Sequence, residues 1–199
     1  QGGAFPDIPR VVARYRKEGN PKMPDYRSYE FFLKRLETRM KEYGLDKIFS
    51  STSALCLASQ NIQAEENKRA LEALRINPNI AGYCIHAWTG ADWIIGSGLI
   101  DIWLEEPWKA YYTAKEVNQP IYLAIHATPR NAYAQQKIKV TVTAVNELKS
   151  TTGRLILTMT SPDGREIFRK QKKLMLREGI HTVMDVDLIA GDVTGYYTL

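Results

Sequence analysis

Cysteine is nearly missing from this chain of 199 residues: Cys56 and Cys84 are the only two, and neither belongs to a CxxC or CxxxC pair. A disulfide framework and a thiolate zinc site are therefore not expected, and both residues read as free, buried thiols. Long apolar runs are missing too. No stretch approaches the roughly 18 residues of a membrane span, and the opening QGGAFPDIPR carries no apolar signal-peptide core. GxSxG, a Walker loop and a nucleotide-binding glycine pattern are all lacking, so none of those chemistries is indicated and no cofactor is expected. Charge of one sign is scarce as well. Lys plus Arg exceed Asp plus Glu by 27 to 22, a surplus of five that reads as spread along the chain rather than gathered into a tail. Neither a nucleic acid nor a membrane is an expected partner.

What is present is ordinary globular composition, 44% hydrophobic and 25% charged, which allows a packed core. The hydrophobic period changes along the chain. Phe32, Leu36, Met40 and Tyr43 recur at helical spacing, and Gly44 is placed to stop that helix. A second helix is predicted over about 54–75, ended by Asn77-Pro78-Asn79. Residues 80–88 are short and nearly without polarity, as expected of a strand buried on both faces in a parallel sheet. PWKAYYTAKEVN is helical again.

Beyond Pro120 the period is two. Ile138, Val140, Val142 and Ala144 share one face, as do Leu155, Leu157 and Met159, and then Ile180, Thr182, Met184, Val186 and Leu188. SPDG at 161–164 predicts the turn of a hairpin between GRLILTMT and REIFRKQKK. Short strands separated by turns predict an antiparallel β-sandwich of the immunoglobulin type, without that family's Cys and Trp hallmarks. The expected domains are therefore 1–119 and 120–199, divided at Asn118-Gln119-Pro120.

The stretch GYCIHAWTGADW raises the functional question, because it empties an apolar run into two tryptophans and an aspartate. In barrels of alternating strands and helices, binding groups sit at the C-terminal ends of the strands, which would put Trp88 and Asp92 at the working end. An indole face suits the apolar face of a sugar ring and a carboxylate accepts hydrogen bonds from hydroxyls. The residues alone leave a second reading open, in which Trp88, Trp93, Trp103 and Trp108 close a core. His86 reads as a core histidine, and His126 and His181 fall on no constellation. Glu65 and Glu66 read as a solvated helix face, and Asp7 and Glu18 as surface carboxylates. RKQKK at 169–173 reads as the charged face of an edge strand that discourages aggregation, in preference to a phosphate contact.

GYCIHAWTGADW followed by SGLIDIWLEEPWKAYY resembles the end of the catalytic barrel in glycoside hydrolase family 2, the superfamily of β-galactosidases, β-glucuronidases and β-mannosidases. The positions that carry the resemblance are Gly82, Tyr83, Trp88, Asp92, Gly98, Leu99, Ile100, Asp101, Pro107, Lys109, Ala110 and Tyr111. ALEALRINPNIAGY before them, and VTVTAVNE, GRLIL and TGYYTL after them, are similar to the family as well. The resemblance implies the C-terminal portion of a (β/α)8 barrel, α/β in class, followed by an all-β immunoglobulin-like sandwich. It implies part of a retaining enzyme acting on β-linked sugars, with Trp88, Asp92 and Trp93 as substrate-binding residues. Trp93 departs from the family pattern, which sets its second aromatic a residue or so later. Retaining hydrolysis needs two carboxylates about 5 to 5.5 Å apart. The resemblance places both upstream of Gln1, so no catalytic residue is expected here and the isolated chain is expected to be inactive. The expected partners are a carbohydrate, and either the remainder of the same enzyme or a second copy of the chain, because a strand cut from a barrel leaves an edge to cover. A non-catalytic binding or interaction module is the alternative.

Overall fold

The structure, a computed structural model, describes residues 3–19, 22–90, 98–105 and 107–199. Helices and antiparallel sheets are both present, and the chain divides into two compact units. The first comprises Gln1–Leu71 with Gly82–Val117, and the second Glu72–Ala81 with Asn118–Leu199.

The first unit is helical. Helix α1 (Ile8–Lys17) begins where the Asp7 carboxylate accepts the amide hydrogen of Arg10, with Pro9 in the first turn, where it costs no hydrogen bond. The hydrophobic spacing read above did not single this helix out, although Asp7 and Pro9 are its start signal. Helix α2 (Pro24–Glu42) carries the predicted stripe as far as buried Met40; Tyr43 turns outward, and Gly44 stops the helix at φ +67°, a conformation that costs glycine little. Helix α3 (Thr52–Arg75) ends before Asn77, whose side-chain oxygen accepts the amide hydrogen of Asn79. Ile8, Val11, Val12, Tyr26, Tyr29 and Cys56 form the core of this unit.

Helix α3 also buries three amides, Gln60, Gln63 and Asn67. Gln60 Nε2 donates to the Phe5 carbonyl at 3.0 Å and Gln63 Nε2 to the Gly98 carbonyl at 3.2 Å. These side chains tie irregular backbone to the helix, supplying partners that a sheet would otherwise give. Asn67 lies on the same face.

The run 80–88 is not a strand. No sheet is formed in the first unit among the described residues, so a segment with strand composition has no ladder to join, and its residues alternate between half-buried and exposed. Just beyond the run, Thr89 makes an isolated bridge to Ile100. Cys84 and His86 are consequently exposed, correcting the expectation that both are buried; Cys56 is buried as expected.

The second unit holds β1 (Ile121–Thr128), β2 (Lys137–Asn146), β3 (Thr151–Thr160), β4 (Glu166–Leu176) and β5 (Gly179–Ile189). One sheet has the order β1-β2-β5 and the other pairs β3 with β4, all antiparallel. Val140, Val142, Ala144, Leu155, Leu157, Met159, Met184 and Leu188 meet in one core, as their alternation predicts. A bulge in β5 breaks that alternation. Val142 pairs with Met184 but Thr143 with Thr182, so Val183 is the extra residue. Val183 and Met184 are therefore both buried, and Ile180 and Thr182, expected inside, face out. SPDG forms the predicted turn, with Gly164 at φ +84° and its amide hydrogen donated to the Ser161 carbonyl. Residues 72–81 group with the strands because Arg75 donates to the Gln119 carbonyl at 2.8 Å and pairs with Glu147 at 2.5 Å, while Tyr122 donates to Glu72 at 2.6 Å.

Helix α4 (Lys109–Val117) follows Pro107 and Trp108 in the first unit. Ala110, Ala114 and Val117, at helical spacing, form its buried face. Tyr111 and Tyr112 stand beside that stripe, which decides what surrounds Trp88.

Candidate functional site

Three short backbone pieces, 88–90, 98–100 and 107–108, clasp one another. The Trp88 carbonyl accepts two amide hydrogens, from Leu99 at 2.9 Å and from Ile100 at 3.1 Å. Gly90 donates to the Ile100 carbonyl at 2.6 Å, and Trp108 donates to the Leu99 carbonyl at 2.8 Å. Two glycines permit this approach. A Cβ on Gly98 would sit 2.1 Å from the Thr89 carbonyl carbon, and one on Gly90 would sit 2.1 Å from the Trp108 ring. Leu99 and Trp108 are buried beneath the clasp.

The clasp fixes the Trp88 backbone while leaving its ring outside. Trp88 is 57% exposed. Ala87, just before it, has φ +65°, the left-handed region that non-glycine residues seldom occupy, at a cost of about 1 kcal/mol. Backbone strain of this sort is held only where surrounding structure determines it. Tyr111 meets the indole edge-on, with ring centroids 6.3 Å apart at 78°, and Tyr112 stands on Tyr111 at 5.4 Å and 89°. Tyr112 is also exposed. Three aromatic rings thus form a ridge on the first unit, built from the loop before the clasp and the first turn of α4. Asp92 and Trp93, the other two expected binding residues, lie outside the described residues.

A separate cleft of about 430 Å³ opens in the same unit. Asp7, Arg10, Asn61, Asp101, Trp103 and Lys109 are among its walls, and Trp88 is not. Its two carboxylates already have structural work. Asp7 caps α1 and accepts the Ser53 hydroxyl at 2.7 Å, and Asp101 accepts the Glu105 amide hydrogen at 2.9 Å. Asp7 thus fixes the start of α1, and Asp101 fixes its loop.

Trp103 is held from both sides. The Arg14 guanidinium lies 4.2 Å from its ring centroid, and Tyr15 packs on it at 5.8 Å. Arg14 also forks onto Glu105, at 2.5 and 3.0 Å, and bonds Glu18 at 2.7 Å. The Glu105 hydrogen bonds are the main reason Arg14 holds its proton more tightly than usual, and the same bonds hold the Glu105 carboxyl below the ordinary carboxylate range. Trp103 is thus held by Arg14 and Tyr15, and Trp108 is buried. The hydrophobic pattern did not reveal the Tyr111–Tyr112 part of the ridge; the signal available was the adjacent pair of tyrosines one turn into a predicted helix.

Among the described residues no group of three or more His, Cys, Asp or Glu side chains is placed to hold a metal ion. No helix among them is long and apolar enough to cross a membrane. No protein-family model and no curated protein matches the chain.

Proposed function

We propose that this chain is the C-terminal part of a retaining glycoside hydrolase of the family 2 type, contributing a sugar-binding aromatic ridge and an immunoglobulin-like β-sandwich. The observation that carries this reading is Trp88, an indole whose main chain is fixed by two hydrogen bonds while most of its ring faces solvent. Burial of a large aromatic ring stabilises a fold, so a rigidly mounted one left outside is best used on a ligand. The apolar face of a pyranose is a suitable partner, with the hydroxyls left to polar neighbours. The order of motifs from Gly82 to Tyr111, and the two antiparallel sheets that follow, support the same assignment. On this reading the carboxylate pair that cleaves the bond comes from outside these 199 residues, and the chain alone binds without hydrolysing.

The test is a titration of the chain with neutral β-linked oligosaccharides, followed by nuclear magnetic resonance of the indole N–H signals. The Trp88 signal is expected to shift saturably. Trp88→Ala is expected to weaken binding about two- to twelvefold, matching the ~0.5–1.5 kcal/mol of an aromatic contact beyond its area. Unchanged affinity in a folded Trp88→Ala protein refutes the assignment.

The second reading, a non-catalytic binding module, is favoured by a different feature. A cleft of about 490 Å³ in the second unit is floored by Ile138, Val140, Met159 and Leu188 and flanked by Tyr133 and Tyr196, which are 88% and 97% exposed. Loss of saccharide binding on Tyr196→Ala, with Trp88→Ala silent, selects that reading.

A further inference from the structure

The surplus of positive charge is spread along the chain, and one share of it falls on a hairpin of the second unit. The β3–β4 hairpin, residues 151–176, holds six basic side chains and two acidic ones, a local surplus of four. Both acids are already engaged: Asp163 with Arg165 at 2.7 Å and Glu166 with Arg169 at 3.0 Å.

Strand register sorts the basic residues into two groups. Lys170 and Lys172 pair with Leu157 and Leu155, whose side chains are buried, so they sit on the core-side parity of the edge strand. Lys172 Nζ reaches the Val183 carbonyl at 3.4 Å, where it blunts the exposed edge of β4. Edge protection accounts for these two. It does not account for Arg154 and Lys173, exposed on the opposite, outer face, where Arg169 stands paired with Glu166. Arg154 and Lys173 are direct cross-strand partners. Like charges placed opposite one another destabilise a sheet, and a bound anion removes that cost. Lys173 and Arg169 are four residues apart on one strand, about 13 Å along the face at roughly 3.3 Å per residue.

We infer that this outer face binds an anionic polysaccharide, a glycan chain bearing sulfate or carboxylate groups. Charge complementarity favours a polyanion. The face offers no aromatic ring for base stacking, since Phe168 turns into the core, which argues against single-stranded nucleic acid. The site is independent of Trp88 and uses charge where Trp88 uses a ring face.

The experiment measures binding of the full chain to heparin, polygalacturonate, neutral dextran, duplex oligonucleotide and phosphatidylserine vesicles over a range of salt. Heparin or polygalacturonate is expected to bind with strong salt dependence, and dextran not to bind at this face. Arg154→Gln/Arg169→Gln/Lys173→Gln is expected to lose at least about tenfold in affinity and to flatten the salt slope by about two to three. Lys170→Gln/Lys172→Gln is expected to lose less, and the charge-keeping Arg154→Lys/Lys173→Arg to bind as the parent does, separating charge from folding. No binding to either anionic glycan at low salt, unchanged binding in the folded triple variant, or equal or tighter binding to the duplex or the vesicles overturns the inference.

Discussion

The two thiols show how strongly burial alone sets a residue's chemistry. Cys56 is fully buried in the first unit's core, and that burial, ahead of any neighbouring group, pushes its thiol up to about 11. Cys84 lies exposed in the irregular segment before Trp88. Since the thiolate is the reactive form, one thiol per chain, Cys84, is expected to react with an aromatic disulfide reagent near neutral pH, and two in denaturant. Two fast thiols in the native protein would contradict the fold around Cys56. The same shift predicts a pH effect on stability. An unfolded cysteine loses its proton near about 8.5 while folded Cys56 keeps it to about 11, so the folded state binds more protons in that window. Stability is therefore lost as pH rises through it, and Cys56→Ala is expected to lessen that loss in denaturant melts.

Among the elements, the clasp around Trp88 rests on close approach more than on side-chain chemistry. Gly98 has backbone within 2.1 Å of where a Cβ would lie, and backbone atoms cannot rotate away as a long side chain can. Gly98→Ala is expected to cost about 1–3 kcal/mol, read as a lower denaturant midpoint, and to disturb the Trp88 indole signal together with it. A substitution that leaves both unchanged would mean that the three pieces are not joined as described. A different device joins α1 to α2. Arg16 donates to the Tyr26 hydroxyl at 2.9 Å and to Glu30 at 2.8 Å, and this contact holds the Glu30 carboxyl below its usual range. Both elements thus depend on partners distant in sequence, and neither is visible as a period.

Over the whole molecule, apolar surface remains to be covered. Phe31 on α2, Ile48, and Leu57 and Ile62 on α3 are all exposed within the first unit. Scattered apolar side chains are ordinary on a protein surface, whereas a joined apolar patch marks a contact site. Under the family 2 reading the rest of a barrel covers them, and in the isolated chain a second copy is the expected cover. Sedimentation over a range of concentration is expected to show reversible association, reduced in Leu57→Ser/Ile62→Ser. A strictly monomeric chain at high concentration that binds no apolar dye would sink this expectation.

By itself the amino-acid order determined what depends on neighbours close along the chain. It specified α2 with its glycine stop, α3 with its Asn-Pro-Asn end, α4, the alternation of β2 and β3, and the SPDG turn. Each is a matter of local dihedral preference and of which face turns inward, and both are written in spacing. Tertiary structure decided the rest. Residues 80–88 have the composition of a buried strand, but a strand exists only where another lies beside it, and none does among the described residues. The bulge at Val183 reversed the facing of Ile180 and Thr182, since one extra residue flips every side chain beyond it. Trp88 acquired its exposure, and Arg154 and Lys173 their shared outer face, from what the fold set opposite them, a relation between distant residues that no local period records.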